Sequence, residues 1–198
     1  MRPLVFIWPQ SLAFWIVYMW AFAPEFGIIR RASQASRGAP RSQDSRSMQV
    51  IILGMWIGLF IAFPIAFSPR FAITGPARLV AYWGGTALLV AGSLLRRHCW
   101  RMLGRYFTGN VQTVADQRVI DTGAYAYVRH PSYTAGVMMF TGIGFALGNW
   151  LSVAITFLSA ALVYTYRVRV EERALVAALG APYVEFMKTR KRFVPFMF

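Results

Sequence analysis

The chain has 198 residues, 57% of them hydrophobic and only 14% charged, with a formal net charge of +14. A soluble domain carries about 25% charged residues, so this composition excludes a water-soluble globule, as well as disordered, collagenous and disulfide-stapled chains. The basic excess falls between and after apolar runs, which fits positive-inside topology and anionic headgroups, with no nucleic acid partner.

The first apolar run covers residues 4–29. Its length, its Trp8, Trp15, Tyr18 and Trp20, and the basic segment that follows mark a retained span, not a cleaved leader. Residues 30–47 are polar and rich in Ser, Ala and Gly. Arg30, Arg31, Arg37, Arg41 and Arg46 face only Asp44 there, so a flexible cytoplasmic loop is expected. Spans at 48–67 and 77–95 follow, separated by turn signals at Ser68-Pro69 and Gly75-Pro76. The third span delivers Arg96, Arg97, Arg101 and Arg105 to the cytoplasmic side. Apolar segments at 132–147 and 151–166, broken by Gly148-Asn149, read as a helical hairpin with Trp150 as interface anchor. The tail, 167–198, reads as a mixed helix on the cytoplasmic face, interrupted at Gly180-Ala181-Pro182.

The expected fold is therefore all-α and integral to the membrane. It has about five transmembrane helices, the last two a hairpin, plus a cytoplasmic C-terminal helix. Five spans put the N-terminus outside and the C-terminus in the cytoplasm, with both basic loops and the tail inside. The small size points to a prokaryotic inner membrane. Gly54/Gly58 and Gly144/Gly148 fit small-xxx-small helix packing and permit a homodimer.

Polar groups beside membrane segments are costly, so they are functional candidates. Arg129-His130-Pro131-Ser132-Tyr133 opens the fourth span. Pro131 suits a first helical turn and pushes His130 out of helical geometry, at an entrance that favours anions. Tyr133 and Gly136 follow near one face. A plain basic-aromatic interface anchor would use the same residue types. Arg167, Arg169, Glu171, Glu172 and Arg173 follow the fifth span. Arg167–Glu171 and Arg169–Glu172 have the spacing of ordinary helical ion pairs. Yet the chain has only seven acidic residues, and two are adjacent here. A carboxylate at the end of an apolar helix can hold a cation or accept from ribose hydroxyls. The loop 106–127 offers Gln112, Asp116 and Asp121 as polar contacts. His98, Cys99 and His130 match no zinc spacing, so no metal is expected.

The order TGAYAYVRHPSYTAG, EERAL, GAPYVEF and RFVPF resembles the isoprenylcysteine carboxyl methyltransferase family and is similar to the phospholipid methyltransferases. The resemblance covers roughly residues 94–198. It divides the chain into N-terminal membrane helices, 1–93, and a methyltransferase-like region, 94–198. It implies use of S-adenosylmethionine, with S-adenosylhomocysteine as product, in a cytoplasm-facing pocket. Carried over by motif, His130, Pro131, Tyr133 and Gly136 would line the cofactor site. Glu171 or Glu172 would contact the cofactor, Arg167 would hold a carboxylate of substrate or cofactor, and Gln112, Tyr125 and Val128 would contribute from the loop. His130, Arg167 and Glu171 are the catalytic candidates. The implied acceptor is lipophilic and membrane-soluble, such as an isoprenylcysteine-like acid or a thiol. A phospholipid amine as acceptor, or an NADPH-dependent reduction of the sterol reductase type, remains open at this point.

Overall fold

A computed structural model describes the backbone of residues 1–35, 45–104 and 118–193, and the side chains of 1–27, 47–104 and 118–193. Its helices are α1 (Gln10–Ala35), α2 (Ser45–Ile65), α3 (Pro76–Leu103), α4 (Pro131–Leu147), α5 (Trp150–Leu179) and α6 (Ala181–Thr189). No β-strand occurs among the described residues, only two isolated bridges. Local chemistry sets the boundaries. Proline occupies the first turn of α3, α4 and α6, where its missing N–H costs no helical bond. Asn149 caps α5 by accepting from the N–H groups of Leu151 and Ser152, at 3.0 and 3.3 Å. Gly148 ends α4 in the left-handed region, φ 71°, which glycine reaches without strain.

The helices pack side by side in the order α1, α3, α4, α5, α2. The outer two are drawn together at one end, where Trp15 stacks on Phe63 at 6.1 Å. α2, α3 and α5 are each long and apolar enough to cross a membrane. α4 has 17 residues, and buries most of them between α3 and α5. Phe60, Val80 and Leu162 are 80, 72 and 69% exposed, a disposition that only lipid makes favourable. The chain is an all-α integral membrane protein.

Two sequence expectations need correction. The fifth span and the tail helix are one element: α5 runs 30 residues and stops at Gly180, φ 61°. The change from apolar to polar residues near Arg167 alters what surrounds the helix, not its backbone preference. The loop expected at 30–47 is shorter, because α1 continues to Ala35 and α2 begins at Ser45. Positions 36–44 lie outside the described residues.

Glycines set the helix spacing. A Cβ on Gly85 would stand 2.5 Å from the Gly142 carbonyl oxygen, so α3 and α4 meet backbone to backbone. Gly85→Val is expected to destabilise by about 1–3 kcal/mol, the usual overpacking cost. Thermal unfolding in detergent checks this, and an unchanged midpoint would refute the packing argument. Gly54 and Gly58 face Val163 and Ser159 of α5, and Gly144 faces Thr156. These surfaces are spent within the chain, so the pattern no longer argues for a homodimer.

Pro24 lies inside α1 and deprives the Trp20 carbonyl of its helical donor. Arg97 of α3 supplies the replacement, donating Nη2 to that carbonyl at 2.5 Å and lying 4.2 Å above the Trp20 ring. In lipid such a carbonyl has no water to turn to.

Candidate active site

The end of α3, the start of α4, the last third of α5, the start of α2 and α6 converge at one end of the molecule. His130 is the N-cap of α4, at φ −127° and ψ 54°. The N–H groups of Arg129 and His130 donate to the carbonyls of Lys191 and Arg192, at 2.8 and 3.0 Å. The Thr134 hydroxyl donates to the Phe193 carbonyl at 2.8 Å. Residues 190–193 therefore lie along the α4 entrance, and their carbonyls take donors that the sequence offered to an anion.

Glu172 anchors this arrangement. Arg129 donates Nε and Nη2 to its Oε1 at 3.1 and 2.9 Å. Arg192 donates Nη2 to its Oε2 at 2.7 Å, and His130 Nε2 lies 3.2 Å from Oε1. The carboxylate is 4% exposed. All three partners come from outside its own helix, unlike the pairs expected from spacing. Arg129 also donates to the carbonyls of Met187, at 2.7 Å, and Arg190, at the negative end of α6. The hydrogen-bonded carboxylate of Glu172 raises the Arg192 pKa further and keeps that guanidinium charged.

A second group lies beside the first. Tyr133 stacks near His130, with ring centres 5.7 Å apart, and near Tyr164, at 5.0 Å. Its hydroxyl donates to Glu171 Oε2 at 2.5 Å and accepts from Arg167 Nε at 3.4 Å. Arg167 is buried and donates Nη1 to the Ser47 hydroxyl at the start of α2. Tyr133 and Glu171 are half-buried. This group therefore combines a carboxylate, a guanidinium, a phenol and stacked rings at the border between membrane helices and polar surface.

The structure brings His130, Pro131, Tyr133, Arg167, Glu171 and Glu172 together. Tyr125 is buried in a short 3-10 turn, Gly123–Ala126, and burial pushes its phenol well up, so it stays neutral. Val128 is buried and bridges to Lys191. Gly136 seats Tyr164, whose hydroxyl would stand 2.4 Å from a Cβ there. Gln112 and Asp116 lie outside the described residues. Asp121 is exposed. No group of metal-ligating residues forms among the described residues. Sequence reasoning missed the roles of Arg129 and Arg192, and missed the pair Glu25–Arg96 altogether. Glu25 carried a usable signal: it is one of seven acidic residues and stands inside an apolar run.

Residues 85–177 match the model of the isoprenylcysteine carboxyl methyltransferase (ICMT) family. This segment, somewhat under half of the chain, is what resembles that family. The Saccharomyces cerevisiae protein-S-isoprenylcysteine O-methyltransferase is 30% identical over 115 residues, 57% of this chain and 48% of the relative. The Arabidopsis thaliana protein-S-isoprenylcysteine O-methyltransferase B is 30% identical over 118 residues, 57% of this chain and 58% of the relative. The chain thus spans about half the length of the curated relatives it matches. A solved eukaryotic intramembrane Ras methyltransferase ICMT superposes with a TM-score of 0.63 at 22% identity, covering 97% of this chain and 70% of the other. That likeness concerns the fold. The matched segment contains Arg129, His130, Tyr133, Arg167, Glu171 and Glu172, while Ser47 and Arg192 join the two groups from outside it.

Proposed function

We propose that this chain transfers a methyl group from S-adenosylmethionine to the carboxylate of a membrane-soluble, isoprenylcysteine-like acid. The observation that carries this reading is the Tyr133–Arg167–Glu171 group, a buried guanidinium beside a half-buried phenol and carboxylate, within the segment that matches the family model. The available groups fit the cofactor's chemistry. A carboxylate suits an ammonium or ribose hydroxyls, a guanidinium suits a carboxylate, and tyrosine rings suit a purine. When bound, S-adenosylmethionine supplies an activated methyl group.

The chain's own residues have three tasks. Glu171 holds the ribose or ammonium of the cofactor, oriented by the Tyr133 hydroxyl. Arg167 holds the acceptor carboxylate in line and is itself fixed by Ser47 and Tyr133. The packed helices exclude water from the reacting carboxylate. A carboxylate nucleophile has no proton to lose, so no general base is needed. This suits His130, whose ring is committed to Glu172. In this reading residues 94–198 carry the chemistry and 1–93 hold them in the membrane. Basic residues gather at the site end, including Arg101, Arg169, Arg173 and Lys188, which supports a cytoplasmic site and an outside N-terminus.

The test is calorimetric binding of S-adenosylhomocysteine to the detergent-purified chain, with NADPH in parallel, followed by labelled methyl transfer to an S-isoprenylated cysteine acid. The expected result is saturable binding of the first ligand alone and a product methyl released by mild base, as an ester requires. NADPH binding alone, or a base-stable methyl on a thiol or amine acceptor, would overturn the assignment.

A further inference from the structure

Arg96, near the end of α3, is absent from the roles assigned above. Its guanidinium pairs with Glu25 of α1, with Nη2 3.1 Å from Oε2. Nη1 donates to the Ser132 carbonyl at 2.8 Å and to the Ser132 hydroxyl at 3.4 Å. The group lies 5.0 Å over the Trp100 ring and 5.7 Å from the Tyr164 ring. Its side chain is 12% exposed and that of Glu25 is 21% exposed. One planar cation thus ties α1, the first turn of α4 and α5 together. A lysine would keep the charge but cannot present the same fork to a carboxylate and a carbonyl at once.

The contacts lead to the site. Ser132 adjoins Tyr133 in the chain. Tyr164 packs on Tyr133 and fills the space over Gly136. Both contacts bear on Tyr133, whose hydroxyl meets Glu171 and Arg167. We propose that Glu25 and Arg96 are positioning residues, which set the first turn of α4 and the Tyr164 ring and thereby aim the Tyr133 hydroxyl. The proposal rests on the methyltransferase reading for its kinetic consequence only. Arg97 provides the comparison. It also reaches α1, but its hydrogen bonds run to Trp20 and Ser93, away from α4.

The experiment places 3-fluorotyrosine at position 133 and records its fluorine resonance in detergent for the full chain and for Arg96→Lys, Glu25→Gln and Arg97→Met. Methyl transfer is measured in parallel. Arg96→Lys and Glu25→Gln are expected to move the resonance and to lower kcat roughly tenfold or more, with little change in acceptor KM. Arg97→Met is expected to lower the unfolding midpoint while leaving resonance and kcat in place. An unmoved resonance in both folded variants would overturn the proposal. So would an equal shift in Arg97→Met, or failure of both Arg96→Lys and Glu25→Gln to fold. A chain without methyl transfer would sink the proposed function, and the fluorine signal would still decide the positioning role.

Discussion

Replacing Glu172 with alanine is expected to cost the fold about 3–5 kcal/mol, the range for removing one partner of a buried ion pair. The change strands Arg129, which is almost fully buried, and releases Arg192. It also removes the acceptor beside His130. With the carboxylate gone, residues 190–193 keep their backbone bonds to the α4 entrance and the bonds that Thr134 and Arg129 donate to their carbonyls, but lose the ion pair through Arg192. Two measurements check this: thermal unfolding in detergent, and proteolysis within residues 180–193. Arg192 is 38% exposed at its side chain, so most of the loss should trace to Arg129. A double variant, Arg129→Met with Glu172→Leu, should recover much of the stability, because the desolvation cost disappears with the charges. A single Glu172→Ala change within about 0.5 kcal/mol of the parent would place it among ordinary surface substitutions and remove the anchoring role.

Glu171→Gln should behave in the opposite way. Glu171 is half-buried and receives the Tyr133 hydroxyl, so an amide can keep that hydrogen bond and the fold. What it loses is the charge toward a ligand. Hydrogen bonds to charged groups are worth about 1.5–3 kcal/mol. S-adenosylhomocysteine binding should therefore weaken by roughly 10- to 150-fold, with the unfolding midpoint almost unchanged. Isothermal calorimetry on the folded variant measures it. Unaltered affinity in Glu171→Gln, or a loss of stability like that of Glu172→Ala, would remove Glu171 from the cofactor site. The two adjacent glutamates thus make a matched pair: one change read in stability, the other in binding.

Much of the architecture was legible because lipid forces each spanning helix to satisfy its own backbone. Apolar runs consequently track helices, and the sequence breaks at Pro131, Gly148-Asn149 and Gly180 coincide with observed ends. The continuity of α5 was not legible, since polarity near Arg167 imitates a boundary that the backbone does not make. Gly54 and Gly58 were recognisable as packing residues, but not as partners of Val163 and Ser159 in the same chain.

The sequence by itself determined an α-helical membrane chain with a basic end, a helix entrance at His130-Pro131, and a rare pair of carboxylates one helix away. Only the tertiary structure decided what each carboxylate does. Neighbouring residues on a helix point about 100° apart, so Glu171 turns toward Tyr133 of α4 while Glu172 turns toward Arg129 and Arg192. Those arginines lie 43 and 20 positions away along the chain, and Glu25 lies 71 from Arg96. No local periodicity encodes such separations. They arise when the helices pack and each buried charge must find the partner that the membrane does not supply.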